Sequence, residues 1–287
     1  MRAGTLTPIR RGGYLLGPID PDEEDPGGYL AHRRLIEVTM QQVDRGSVLC
    51  LGSAAVLHDL PIWRHALNAV HVMRDGNAGS QCRAHVHVHK SPLTPRDVTV
   101  IDGREVTTLA RTVADLGRLT PLMESVAMGD QALRRGLDSG DLQSTLRSMK
   151  RWPGVCNARL MADFLDIRSE SAGESASRVK LDQERIPAPE LQRVILDQHG
   201  EFVARVDFAW EEQKTVGEFD GAIKYGALLR PGQSVADVRE AQDNREDRIR
   251  LAGWEVARWG WPQLGEGDEI ARRVRAAFDR AHARGLT

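Results

Sequence analysis

The 287-residue sequence predicts an α/β (α+β) protein with more than one domain. Phe202–Trp210 and Lys214–Asp220 alternate apolar and polar residues on either side of a short polar turn, which is typical of a β-hairpin. Long stretches before and after this hairpin carry apolar residues at spacings of three and four, which indicates helices. Blocks of strands and blocks of helices in one chain are typical of the α+β class.

The composition is that of an ordinary globular protein, with 41% hydrophobic and 28% charged residues. No apolar run approaches the length of a membrane span, and the N-terminus has no secretion pattern. The three cysteines are widely separated, so we expect reduced thiols and a cytoplasmic location. Because the net charge is −2, any contact with DNA has to come from local basic patches.

The N-terminal segment, residues 1–28, reads as a basic hairpin followed by an acidic linker. Leu6–Arg11, two glycines and Tyr14–Gly17 predict strand, turn and strand, with Arg10 and Arg11 at the tip. Such a tip can lie along a DNA backbone, although solvated basic turns are also common. The linker after it is rich in Asp, Glu, Pro and Gly.

Residues 29–118 predict a small α/β domain, and residues 119–168 predict a helical connector. His85, His87 and His89 alternate, so they share one strand face. Three imidazoles suit zinc, but adjacent same-face positions diverge and no carboxylate is close enough in sequence to orient them. We therefore favour a strand that faces solvent or phosphate over a zinc site.

The hairpin in residues 201–225 gathers carboxylates. Asp207 lies on its first strand, and Glu218 and Asp220 share a face of its second strand. Buried carboxylates are costly without a cation or hydrogen-bond donors, and oxygen ligands favour Mg²⁺. Lys224 lies close enough to contact a phosphate or an attacking water. The alternative is that these acids occupy an ordinary solvent-facing strand.

Glu174 has two interpretations from sequence. The run Ser171-Ala-Gly-Glu174 fits a capping box, in which the Glu174 carboxylate accepts a hydrogen bond from the N-cap amide. The same residue also lies where a helix carboxylate could join the carboxylates of the hairpin. The two interpretations are compatible.

Three stretches together resemble the very-short-patch-repair-like nuclease domains of the PD-(D/E)XK superfamily: Phe202–Trp210, Val216–Gly221 and Asp247–Arg258. This resemblance implies a restriction-endonuclease-like αβββαβ domain over residues 169–287. It also implies that Glu174, Asp207 and Glu218 bind a divalent metal. Asp220 stands where the superfamily usually has a Lys, and Lys224 is the candidate for a migrated one.

Basic residues near the carboxylates are candidate DNA contacts: Arg205, Arg245, Arg248 and Arg258. Arg245 and Arg248 could instead pair with acids of their own helix. The sequence leaves both alternatives open.

The N-terminal part resembles AbiEi-like antitoxins. Gly52–Pro61 and Thr107–Leu116 carry this similarity, and the basic hairpin is similar to the wing of that family's winged-helix domain. The helices that precede the wing in the family are not in this sequence. The resemblance therefore implies either a start inside the domain or a remnant wing without its recognition helix.

These resemblances imply a bacterial DNA-binding antitoxin and transcriptional autorepressor that opposes a nucleotidyltransferase toxin. The competing hypothesis is a Mg²⁺-dependent DNA endonuclease. It would use Glu174, Asp207 and Glu218 as ligands, with Lys224 assisting and two metal ions stabilising the attacking and leaving oxygens. Neither hypothesis involves a membrane.

Overall fold

The structure is a computed structural model that describes residues 6–17, 23–25, 27–43, 46–63, 67–76, 80–83, 85–221 and 235–287. The chain divides into two compact units, Met1–Leu165 and Asp166–Thr287. Both contain helices and sheets, so the protein is of the mixed α/β class. In the described ranges, no helix has the length and apolar character needed to cross a bilayer.

Unit 1 begins with a β-hairpin and continues with a sheet and a helical layer. Its strands are β1 Leu6–Arg10, β2 Gly13–Leu16, β3 Val48–Leu49, β4 Val70–Arg74, β5 Gln81–Arg83, β6 Val86–Lys90, β7 Val98–Ile101 and β8 Arg104–Thr107. Its helices are α1 Tyr29–Met40, α2 Leu51–Leu57, α3 Leu109–Leu119, α4 Leu122–Arg134, α5 Ser139–Ser148 and α6 Val155–Phe164. A short 3-10 helix spans Pro95–Asp97.

The N-terminal hairpin forms as the sequence predicts. β1 pairs antiparallel with β2, and Gly12 occupies the left-handed region at the turn, with φ of 74°. A Cβ atom on Gly13 would clash with the Val38 side chain of α1. The missing side chain of Gly13 therefore lets the hairpin pack closely on α1.

The strands β3 to β8 form one sheet in the order β5-β6-β4-β3-β8-β7. Parallel pairs, such as β4 with β6, alternate with antiparallel pairs. The apolar core between this sheet and helices α1 and α2 includes Ile36, Leu49, Val72 and Val106. Strand β5 and the 3-10 helix were not expected from sequence, because both are three residues long and polar.

Helices α3 to α6 form the rest of unit 1. Small residues allow close helix packing, since a Cβ on Gly117 would clash with Met161 and one on Gly129 with Leu165. Arg111 and Asp115 are buried on α3 and pair with each other at 2.7 Å. Helix α3 therefore carries a buried ion pair as well as apolar residues.

Unit 2 contains a four-stranded sheet whose order is β12-β11-β10-β9. Its elements are α7 Ala172–Gln183, β9 Glu190–Leu196, β10 Phe202–Trp210, β11 Thr215–Asp220, α8 Val235–Leu251, β12 Glu255–Gly260, α9 Trp261–Gly265 and α10 Glu269–Ala283. Strands β9, β10 and β11 are antiparallel neighbours, whereas β12 is parallel to β11. Parallel neighbours need a crossover, and helix α8 lies within the connection between these two strands.

The core of unit 2 forms on both faces of this sheet. Val206, Val216 and Ile249 are fully buried in one cluster. Phe208 stacks on Trp259, with ring centroids 5.4 Å apart. The predicted hairpin is therefore the centre of the sheet rather than an exposed ribbon. Helix α9 was not expected from sequence, because it is a single short turn that begins with Trp-Pro.

Replacement of Gly154 by Ala should destabilise unit 1 by at least about 2 kcal/mol. Gly154 precedes α6 with φ of 78°, and its Cβ would clash with the carbonyl group of Arg118. Gly136→Ala is the matched control, because Gly136 has φ of 91° but open space around a Cβ. The control should cost about 1 kcal/mol. Urea unfolding followed by circular dichroism measures both, and equal costs would contradict the steric explanation.

Candidate functional site

The predicted carboxylates of unit 2 lie on neighbouring elements. Asp207 is on β10, Glu218 is on β11, and Glu174 is in the first turn of α7. The Asp207 carboxylate accepts a hydrogen bond from the Phe219 backbone N–H at 2.8 Å. This bond links the two strands of the hairpin at the position of the carboxylate.

Glu174 takes part in the helix cap in a different way from the one expected. The Ser171 hydroxyl accepts a hydrogen bond from the Glu174 N–H at 3.2 Å, as in a capping box. The Glu174 carboxylate, however, accepts from the N–H of Glu170 at 2.9 Å and not from that of Ser171. The prediction of the second bond was wrong by one residue, because the chain before the helix turns back towards the carboxylate.

Gln192 joins the carboxylates, and sequence reasoning missed it. Its side-chain amide donates to Glu174 Oε2 at 2.9 Å and also hydrogen-bonds Asp207. The backbone of Gln192 has φ of 54°, which is uncommon for a residue within a strand. No feature of the Glu190–Leu196 sequence indicates this conformation, so only the structure identifies Gln192 as part of the site.

Asp207 is electrostatically unusual. Burial raises the pKa of Asp207 to about 6, and the nearby carboxylates of Glu174 and Glu218 add to the increase. Hydrogen bonds from the Phe219 N–H and the Gln192 amide partly oppose it. Asp207 therefore titrates close to neutral pH.

Glu218 is neutralised within the protein. Its side chain is only 8% exposed and pairs with two arginines. Arg245 of α8 contacts Oε1, and Arg258 of β12 donates to Oε2 from Nε at 3.1 Å and from Nη2 at 2.8 Å. Arg258 also lies 3.4 Å from Glu246. These two arginines were candidate DNA contacts, and the structure instead gives each an internal carboxylate partner.

Asp220 lies at the end of β11, beyond Glu218. Burial raises the pKa of Asp220; Arg258 opposes the increase and Glu218 adds to it. The Gln242 amide donates to its carboxylate at 3.3 Å. Asp220 thus lies in the same charged neighbourhood as Glu218, Arg245 and Arg258. Lys224, the fifth predicted catalytic residue, lies outside the described residues.

The remaining predicted DNA-binding arginines are near the surface. Arg205 pairs with Glu170, and both side chains are about half exposed. Arg248 donates to the Phe202 carbonyl at 3.1 Å. In unit 1, Arg10 bonds Gln42 of the segment after α1, while Arg11 is exposed at the hairpin turn.

The histidines of β6 contact a histidine of the neighbouring strand. His71 Nδ1 lies 2.9 Å from His89 Nε2, and the His71 and His87 rings meet edge to face. Burial and the neighbouring imidazoles lower the pKa of His71 to about 4. His87 and His89 are half-buried, so this strand face is only partly open to solvent, and its contact with phosphate stays a prediction. Across the described ranges, no three His, Cys, Asp or Glu side chains are arranged to hold a metal ion.

Two curated relatives are similar over most of the chain. Both are uncharacterized proteins of Mycobacterium tuberculosis, one from strain CDC 1551 and one from strain H37Rv. Each is 27% identical over 241 residues, which cover 83% of this chain and 84% of the relative. No family model and no solved structure matches the chain.

The raised pKa of Asp207 should make stability depend on pH. The folded state holds a proton that the unfolded chain releases, so this stabilisation is complete below about pH 4 and is lost as pH rises through about 6. The loss should reach up to about 3 kcal/mol. Asp207→Asn should remove this component, so the stability of the mutant relative to the wild type should rise by up to about 3 kcal/mol between pH 4 and 8. Histidines with a lowered pKa, such as His71, change stability in the opposite direction, but equally in both proteins. Thermal unfolding across this range measures the effect.

Asp197→Asn is the control for this profile, because Asp197 lies in the exposed β9–β10 turn and its pKa is lowered, chiefly by the Glu201 N–H. Its replacement should leave the slope above pH 4 unchanged. A stability difference between wild type and Asp207→Asn that does not change between pH 4 and 8 would show that Asp207 is not protonated in the folded state.

Loss of Arg258 should leave Glu218 buried with a single cation. Arg258→Met is expected to cost about 3 kcal/mol, because a buried carboxylate loses half of its compensation. Arg272→Met is the control, since Arg272 pairs with Glu269 while its side chain is 68% exposed. An exposed pair of this kind contributes little to stability, so Arg272→Met should cost much less than Arg258→Met. Similar losses of unfolding free energy in urea titrations would refute the distinction.

Proposed function

We propose that unit 2 is a metal-dependent DNA endonuclease domain of the PD-(D/E)XK kind. The order of helix, three strands, helix and strand in residues 172–260 supports this proposal, because it is the order that the sequence resemblance implies. The observation that carries it is electrostatic. Asp207 is a half-buried carboxylate whose pKa is raised to about 6, beside Glu174 and Glu218.

The three carboxylates differ in the positive charge that lies next to them. Glu218 has two arginines, whereas the described partners of Glu174 are a backbone N–H and the neutral amide of Gln192. Asp207 likewise accepts from the neutral Phe219 N–H and from Gln192. A proton relieves this repulsion below pH 6, and a divalent cation would relieve it above that pH.

Glu174 and Asp207 fit Mg²⁺ by their chemistry. Mg²⁺ prefers oxygen ligands and usually takes one or two protein carboxylates together with water and substrate phosphate. Glu218 does not fit as a free ligand, because both of its oxygens are engaged by arginines. The proposed ligand set is therefore Glu174 and Asp207, a smaller set than the three carboxylates expected from sequence.

A bound Mg²⁺ would polarise a phosphodiester and lower the pKa of a bound water. The protein's own residues position that chemistry. Gln192 holds the Glu174 and Asp207 carboxylates at fixed separation, and the Phe219 N–H orients the second oxygen of Asp207. Asp207 has to be ionised to act as a ligand, so cleavage should fall as the pH drops below 6.

Supercoiled plasmid cleavage with Mg²⁺, Mn²⁺ or EDTA tests this function. Wild-type protein should nick or linearise the plasmid with metal only, and Asp207→Asn and Glu174→Gln should lower the rate by about 100-fold or more. Asp197→Asn should keep the wild-type rate.

A second readout does not depend on activity. At pH 8, Mg²⁺ should raise the thermal midpoint of the wild type and not that of Asp207→Asn. Absence of both cleavage and metal-dependent stabilisation would exclude the endonuclease proposal.

The second candidate is a DNA-binding regulator of the AbiEi-like antitoxin type, with a nucleotidyltransferase toxin as its partner. The N-terminal hairpin favours it, because β1 and β2 are held against α1 and present the exposed Arg11 at their turn. Backbone contacts from such a tip would position the protein on a duplex.

Mobility shifts with the DNA upstream of its own gene separate the two candidates. Saturable, salt-sensitive binding that weakens in Arg11→Ala, without cleavage, would favour the regulator. Cleavage that requires Asp207 would favour the enzyme.

A further inference from the structure

Unit 1 contains a cavity of about 390 Å³ that the proposed nuclease chemistry does not use. It lies where the ends of β4 and β6 meet the end of α3 and the segment before α6. Lys90, Arg118 and Arg151 line it, together with Trp152 and a wall of aliphatic side chains that includes Leu51 and Met73. A volume of this size is within the range of small-molecule sites.

The charge lining the cavity is positive. Asp115 is the one acidic residue among the described lining residues, and its carboxylate is already shared by Arg111 and Arg118. Arg111 also pairs with Asp97, so these four buried or half-buried groups balance one another. Lys90 and Arg151 form no ion pair with any residue in the described ranges. Two positive charges therefore remain uncompensated at the cavity.

The aromatic side of the cavity is held in place by the same arginines. The guanidinium groups of Arg111 and Arg118 lie 5.1 and 4.9 Å from the centroid of the Trp152 ring. Arg118 also donates to the Pro153 carbonyl at 2.9 Å. Trp152 and Pro153 are thus held against α3, next to the exposed Arg151.

Two lining residues have strained backbones. Leu51 has φ of 49° and Arg151 has φ of 63°, although neither is glycine. A bulky residue in the left-handed region is a marked outlier, and such strain is found mainly where surrounding structure fixes a side chain for a task. Of the seven non-glycine residues with positive φ in the described ranges, these two line the cavity.

We propose that this cavity binds a small phosphate monoester that has an apolar or aromatic body, such as a mononucleotide. Two uncompensated cations match the charge of a phosphate monoester, which is close to −2 at neutral pH, better than the single charge of a carboxylate. Arg151 supplies a planar donor and Lys90 a compact charge, which are the two kinds of side chain that bind phosphate. The aliphatic and Trp152 surfaces would contact the body of the ligand.

Isothermal titration calorimetry of the full chain tests the proposal with AMP, phenyl phosphate, phenylacetate and a 5′-phosphorylated single-stranded DNA dodecamer. AMP and phenyl phosphate should bind at one site, and phenylacetate at least tenfold more weakly. In the double variant Lys90→Met with Arg151→Met, affinity for AMP should fall at least tenfold.

A matched double variant controls for net charge. Arg147→Met with Lys150→Met removes two exposed cations that do not line the cavity. It should keep AMP affinity within twofold of the wild type. Arg151→Gly separates binding from folding, because it should weaken AMP binding while raising the thermal midpoint through release of backbone strain.

Each result decides the question. Equal affinity for phenylacetate and phenyl phosphate would overturn the assignment to phosphate. No binding of AMP, or equal loss in the two double variants, would overturn the site itself. Tighter binding of the dodecamer than of AMP, lost with Lys90 and Arg151, would replace the small molecule by a nucleic-acid backbone.

Discussion

The ion-paired Glu218 is the interaction on which the arrangement of unit 2 depends. It lies on β11, between β10 and β12, and its two arginines come from α8 and β12. Arg245 reaches further and donates to the Arg205 carbonyl on β10 at 2.7 Å. Because a buried carboxylate is costly without its partners, only an arrangement that brings α8 and both strands together satisfies it.

Among the described residues, the same interaction leaves the neighbouring carboxylates of Glu174 and Asp207 without a paired cation. Two arginines pair with Glu218, whereas Glu174 and Asp207 both accept hydrogen bonds from the neutral amide of Gln192. The site therefore has two parts. Glu218 is neutralised by arginines, whereas the described partners of Glu174 and Asp207 are neutral. Carboxylates with a perturbed pKa beside a specific charge partner concentrate at functional sites, which is the physical basis of the function proposed for unit 2.

Part of this arrangement could be predicted from the sequence. The alternation in Phe202–Trp210 identifies the hairpin because strand periodicity is a local property, and the antiparallel pairing of β10 with β11 confirms the hairpin. The sequence could not predict that the side chains of Arg245 and Arg258 contact Glu218, since both residues are far from Glu218 in sequence. Composition alone cannot distinguish an arginine that pairs with a carboxylate of the protein from one that is available to bind a phosphate.

The residues that sequence reasoning missed share a physical cause. Gln192 depends on a left-handed backbone inside a strand, a conformation that glutamine does not favour. The left-handed backbone of Arg151 before α6 was likewise not predicted from its residue type. Such positions follow from tertiary packing that overrides local preference. The capping bond to Glu170 instead of Ser171 is a smaller case of the same effect.

Trp259 connects the two ends of the candidate site. Its indole N–H donates to the Ser177 hydroxyl at 2.8 Å, its ring stacks on Phe208, and its chain neighbour is Arg258. Ser177 lies one helical turn from Glu174 on α7, so a movement of that helix changes the polarity around the indole. Trp259 can thus serve as an optical reporter: with the chain's five other tryptophans replaced by phenylalanine, its emission wavelength would register occupancy at Glu174 without an added label.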